Sequence, residues 1–147
     1  MIYIGADHRG FELKEKIILW LKNSESKVED EGAHMYDPSD EYPEYAQKVA
    51  AFVKKGGNKG IVLCGAGVGV QVVDNKFDGI RAAIGLSEEQ VKKGREDDDM
   101  NILVIASDFT NFEEAKKMIT AFLNTKYKKE IKHERRLSEI EKIEANN

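Results

Sequence analysis

Between Gly60 and Lys76 the chain reads GIVLCGAGVGVQVVDNK, and few folds accommodate that stretch. Ile61, Val62 and Leu63 form an apolar run of the length expected for a strand buried on both faces. Cys64 ends the run. Gly65, Gly67 and Gly69 then alternate with small residues before a second apolar stretch, which reads as strand, tight glycine loop, helix. Such a loop lets backbone N–H groups and a helix N-terminus converge on an anion. The same field favours the anionic form of a thiol placed there. One short segment thus offers both a base and an oxyanion site.

The rest of the chain repeats this unit. Met1 to Ala6 reads as a first strand, and Phe11 to Asn23 as an amphipathic helix with Phe11, Leu13, Ile17, Ile18 and Leu21 on its apolar face. Lys27 to Asp30 is a short, polar second strand, and His34 to Asp40 a loop. Pro43 suits the first turn of a second helix that runs to about Lys55 and stops at Gly56 and Gly57. The third strand is Gly60 to Cys64 and the third helix Val68 to Lys76. Gly79 to Gly85 forms the fourth strand. Ser87 caps a fourth helix whose first turn carries Glu88 and Glu89. Asn101 to Ala106 is the fifth strand, and Asn111 caps a fifth helix ending near Thr125. Five alternations predict a parallel sheet with helices on both faces. Ligands in such sheets bind at the carboxyl ends of the strands. Asp7–His8 and Cys64–Gly69 both fall there.

At 147 residues the chain is expected to be a single domain, 1–147, with a real core. Charged residues at 34% and hydrophobic residues at 41% describe a soluble globular protein. A net charge of −4 argues against nucleic acid as a partner, and no apolar run approaches a membrane span. One cysteine excludes an internal disulfide, and the N-terminus enters a strand without a signal peptide, so a cytoplasmic location is expected. Three scattered histidines and one cysteine argue against a structural metal. Lys126, Lys128, Lys129, Lys132, Arg135 and Arg136 make a basic island against Glu130 and Glu134. A terminal helix with Leu137, Ile140 and Ile143 on one side is expected to follow and to dock on another subunit.

Taken singly, these residues have plainer readings. A lone cysteine in a buried α/β protein is ordinarily a small core residue. His8 alone would be a cap or a surface histidine, and Tyr42 a loop anchor beside Pro43. Asp97 to Asp99 would be a solvated face, although three carboxylates at a helix C-terminus oppose its dipole.

Six pieces in order change those odds: ADHRGFELK at 6–14, EYPEYA at 41–46, CGAGVG at 64–69, NK at 75–76, GIRAA at 79–83 and HERR at 133–136. Together they resemble the type B ribose-5-phosphate isomerases and the related galactose-6-phosphate isomerase subunits. The resemblance implies a Rossmann-like three-layer α/β/α fold with a five-stranded parallel sheet and a C-terminal helical tail. It implies aldose–ketose isomerisation of a sugar phosphate without metal or cofactor, by default between ribose 5-phosphate and ribulose 5-phosphate. It also implies a homodimer or dimer of dimers with shared active sites. Carried over by position, Cys64 is the base that moves a proton between C1 and C2 through a cis-enediolate. Gly65, Ala66, Gly67, Val68 and Gly69 form the anion hole. Asp7, His8 and Tyr42 contact substrate. Lys132 and Arg136 take the phosphate, with Arg135 an alternative because the tail aligns with a one-residue shift.

The chain departs from the family pattern at three places. Ala66 stands where Thr or Ser is usual, which removes a hydroxyl that helps shuttle protons. Asp97 and Asp98 stand where the family has the histidine linked with ring opening and an asparagine that holds substrate. Lys132 replaces an arginine, trading a bidentate grip for a point charge. An ordinary carboxyl is ionised at neutral pH, so ring opening through Asp97 is expected to be slow. Two alternatives stay open: isomerisation of a tetrose or hexose phosphate, and sugar-phosphate binding without turnover.

Overall fold

The computed structural model describes residues 1–147. The strands are β1 (Ile2–Ala6), β2 (Val28–Asp30), β3 (Lys59–Cys64), β4 (Ala82–Ile84) and β5 (Ile102–Ala106). They pair in the order β2-β1-β3-β5-β4, all parallel. The helices are α1 (Phe11–Asn23), α2 (Tyr42–Val53), α3 (Val68–Asp74), α4 (Glu88–Asp98), α5 (Phe112–Asn124) and α6 (Ile131–Ala145). This is the expected three-layer α/β/α architecture with a helical tail.

Strand alternation divides the core in two. Ile61, Leu63, Leu103 and Ile105 pack with Ile17 and Leu21 of α1, Val91 of α4 and Ile119 and Phe122 of α5. Val62, Cys64, Ile102 and Val104 point the other way, against Val49 and Val53 of α2 and Val70 of α3. Cys64 is therefore continuous with the second core, yet it ends its strand at the carboxyl edge. The chain leaves β1 toward β2 on one side and later enters β3 on the other. The carboxyl ends of β1 and β3 are thus the point where the winding reverses, where such folds bind ligands.

Two boundaries differ clearly from the sequence reading. The fourth strand is the short β4, because Gly79 has a positive φ and Arg81 is tied to the loop before β5. The third helix stops at Asp74, because the Asn75 side chain leaves the helix to bond the Ala82 N–H and C=O. With Gln71 accepting from the Ile84 N–H, these amides cover the outer edge of β4. The terminal helix expected after the basic island is α6; residues 126–130 of the island are non-helical, and the helix takes in the rest from Ile131. The capping expectations hold. The Ser87 hydroxyl accepts from the Gln90 N–H, and Asn111 forms a capping box with Glu114.

Candidate active site

At the carboxyl edge the Cys64 side chain is buried, and its Sγ accepts the Gly67 N–H at 3.2 Å. Gly67 holds a φ of 76°, a left-handed conformation open to glycine with little strain. That conformation turns the N–H back onto the sulfur. The loop therefore presents a thiol and a backbone donor to the same space. Gly69 serves a second need, since a Cβ there would stand 2.6 Å from Tyr42 Cζ. The Tyr42 ring, at the start of α2, lies directly over the loop. Ala66 opens onto a cavity of about 560 Å3 lined further by Leu86, Ala106, Phe109 and Lys117. Leu86 and Phe109 are large apolar side chains left exposed beside it.

The turn after β1 borders Cys64 directly, since Ala6 pairs with Leu63 and the Asp7 N–H reaches the Leu63 carbonyl. Asp7 is buried, and its Oδ1 accepts the N–H groups of Arg9 and Gly10. Burial pushes its carboxyl up, against the lowering effect of those two donors. One carboxylate oxygen thus builds the turn. His8 lies beside it with its ring partly exposed. Arg9 crosses Gly65 and pairs with Asp108 after β5, closing one side of the cleft.

Asp97, Asp98, Lys132 and Arg136 lie elsewhere. The fourth helix runs back from the carboxyl end of β4 to the amino end of β5, so Asp97 and Asp98 sit at the opposite end of the sheet from Cys64. A five-residue strand separates the two ends by about 15 Å. The tail joins Asp97 there. His133 is the one buried residue of α6; its Nδ1 lies 2.8 Å from the Lys128 carbonyl and its Nε2 3.7 Å from Asp97 Oδ1. Lys93 also reaches Asp97, at 3.4 Å. Lys132 and Arg136 stand four residues apart on one side of α6. Lys132 pairs with Glu130, whereas Arg135 and Arg136 are exposed with no carboxylate partner in the chain.

The aspartate run acquires a reason here. Asp99 ends α4 in a left-handed conformation and is gripped by Arg81 and Arg95. Arg81 also donates to the carbonyls of Asp98 and Asp99. Cations at the end of α4 thus offset the dipole conflict. Sequence reasoning missed Asp40, Arg9 and Asp108, whose partners lie many residues away with no local pattern to mark them.

Residues 2–140 match the family model for ribose/galactose isomerases. The chain belongs to the ribose/galactose isomerase family. It is 36% identical over 144 residues to the ribose-5-phosphate isomerase B of Escherichia coli, covering 97% of this chain and 95% of that one. It is 37% identical over 144 residues to the ribose-5-phosphate isomerase B of Mycobacterium leprae, covering 97% and 89%. Among solved structures it resembles ribose-5-phosphate isomerase B from Mycoplasma genitalium with bound ribulose 5-phosphate. That likeness has a TM-score of 0.95 and 36% identity, over 99% of this chain and 97% of that one. No helix is long and apolar enough to cross a membrane.

Proposed function

We propose that this chain interconverts ribose 5-phosphate and ribulose 5-phosphate. One observation carries the reading: a thiol and a backbone donor meet at the winding switch point of a chain that matches, over 99% of its length, an isomerase holding ribulose 5-phosphate. A proton α to a carbonyl is weakly acidic, and its removal needs a placed base and donors for the developing oxyanion. Cys64 acts as the base. Its thiolate takes the proton from C2 of the open-chain aldose, and the electron pair moves onto O1 to give the cis-enediolate. A proton then passes from O2 to O1, the electron pair on O2 forms the C2 carbonyl, and the Cys64 thiol, whose proton exchanges with solvent, delivers a proton to C1 to give the ketose. The loop N–H groups of residues 65–69 stabilise the enediolate, while Asp7, His8 and Tyr42 hold the sugar. An isomerase assay across four-, five- and six-carbon sugar phosphates, with deuterium uptake at C1 and C2, tests this. Turnover of ribose 5-phosphate is expected. Turnover of another sugar alone, or binding without turnover or exchange, overturns it.

The working unit in this reading is a homodimer, or a dimer of dimers, built from single-domain chains. Asp97 and Asp98 stand at the other end of the sheet from Cys64, with the tail that carries Lys132 and Arg136 beside Asp97, and in this reading all four complete the cleft of a partner. An α6 that buries only His133, with Ile131 and Ile143 exposed, supports docking on a second copy. Complementation checks it. Cys64→Ala and Arg136→Ala homodimers are each expected to be nearly inactive. Unfolded and refolded together in equal amounts, they recover roughly a quarter of wild-type activity, because half the dimers carry one intact site. No recovery places both half-sites in one chain.

Two observations favour a preference for open-chain substrates: Asp97 is engaged by His133 and Lys93, and no hydroxyl stands at Ala66. Ring opening then limits the aldose direction. Asp97→His is expected to raise kcat from ribose 5-phosphate several-fold and to change kcat from ribulose 5-phosphate little, because the ketose forms no furanose. An unchanged aldose kcat removes Asp97 from the ring-opening position.

A further inference from the structure

Asp40 lies in the loop before α2, yet only 4% of its side chain is exposed. Its Oδ1 accepts the His8 backbone N–H at 3.1 Å and lies 2.7 Å from His8 Nδ1. Its Oδ2 is buried with no hydrogen-bond partner. A buried carboxylate is costly unless its bonds offset desolvation, so the two contacts to His8 hold Asp40 in place. Only one proton fits between Oδ1 and Nδ1. The same oxygen already accepts the His8 backbone N–H, and a carboxylate oxygen acts as an acceptor, so the proton between them is the ring's Nδ1–H. The nearby Tyr45 phenol is pushed up to about 12, first by burial and then by the charge of Asp40.

A ring protonated at Nδ1 has Nε2 left to work with. Nothing in the chain bonds Nε2. The groups facing His8 are the carboxylates of Asp7, Asp37 and Asp40, with the edge of Tyr36 at 6.3 Å between centroids. The backbone bond from His8 matters as much as the ring bond. Both donors converge on one oxygen, which fixes the imidazole relative to the turn that follows β1, beside Cys64.

We propose that Asp40 is a positioning residue of the cleft: by taking both the N–H and the Nδ1–H of His8 on one oxygen, it fixes the ring tautomer and turns Nε2 toward an oxygen of the bound sugar phosphate. The inference rests on the isomerase reading for its consequence, though not for its geometry. In this arrangement His8 is locked before substrate arrives, and the carboxylate stabilises whatever positive charge the ring gains on contact. The oxygen belongs either to the phosphate or to a sugar hydroxyl.

Nitrogen-15 spectra of the histidine side chains at pH 8 decide the geometry. His8 is expected to carry its proton on Nδ1 in the wild type and to lose that preference in Asp40→Ala. A wild-type His8 protonated on Nε2 overturns the proposal. Inorganic phosphate that moves the Nε2 signal identifies a phosphate contact; movement with ribulose 5-phosphate alone identifies a hydroxyl. No movement with either overturns the contact. In the assay, Asp40→Ala is expected to lower kcat about tenfold to a hundredfold, as loss of orientation does. Asp40→Asn should recover most of that loss, because both donors facing it are N–H groups and its amide oxygen can accept them. Alanine and asparagine variants that are equally impaired, or equally active, reject a positioning role. A wild type without turnover on any sugar phosphate sinks the isomerase reading, while the spectra still decide the tautomer.

Discussion

Cys64→Ala is expected to lower kcat by about a thousandfold or more, within the usual range for loss of a placed base. Binding of ribulose 5-phosphate should stay within several-fold. The asymmetry follows from what the sulfur does. In the ground state it fills a corner of the second core and accepts one backbone N–H. Its contact with the substrate proton exists only as that proton moves, so its removal affects the transition state and spares ground-state binding. Alanine keeps the small apolar body of the side chain, and the Gly67 N–H then faces the cleft. Cys64→Ser should also be nearly inactive, because an alcohol is a far weaker acid than a thiol and supplies little of the anion. Deuterium uptake at C1 and C2 checks the step itself and should vanish with kcat. Near-normal turnover in Cys64→Ala would move the base elsewhere, with Asp7 first in line. That outcome would require Asp7 to act through its second oxygen, since the first is held by the turn.

Asp74→Ala is expected to stabilise the protein, and by an amount that grows with pH. Asp74 ends α3 with no exposed surface, and neither carboxyl oxygen has a hydrogen-bond partner. Burial pushes its pKa up from 3.8 to about 8, with no charged neighbour contributing. Below pH 3.8 the group is protonated in the folded and unfolded chains alike and costs nothing through linkage. Between pH 3.8 and about 8 the unfolded chain releases the proton while the folded chain keeps it, so stability falls as pH rises. Above that window the penalty is constant. Each pKa unit is about 1.4 kcal/mol, so the full penalty is on the order of 6 kcal/mol. Alanine also favours the helical conformation at that position. Urea unfolding of both proteins at one protomer concentration, from pH 5 to pH 9, measures the effect. The variant's advantage should widen steadily to about pH 8 and then level. A gap that stays flat across the range would mean that Asp74 finds a partner in the folded protein.

Part of the candidate site was legible before any coordinates. The glycine loop, Cys64 and the Asp7–His8 turn are short local patterns, and each falls at the end of a strand whose period marks it. The tail was legible as charge, and its helical half as an apolar stripe. What stayed hidden was the pairing of polar groups. Nothing near Asp40 in sequence announces His8, which is 32 residues away. The conflict of three aspartates with the dipole of α4 could be noticed, but its resolution by Arg81 and Arg95 could not.

The sequence by itself determined the alternation of elements, the strand–glycine–helix segment and the family to which the chain belongs. These are encoded locally, in hydrophobic period, capping residues and backbone freedom, and need no knowledge of what packs against what. The order β2-β1-β3-β5-β4 was decided only by the tertiary structure, because every parallel order satisfies the same periodicities. That order sets β1 beside β3 and so brings His8 to the border of Cys64. The direction of α4 carries Asp97, and that of α5 the basic tail, to the far end of the sheet. Side chains distant in sequence become neighbours when buried apolar surface closes the layers. The resulting separation of cleft and tail is a property of the packed sheet that no local pattern carries.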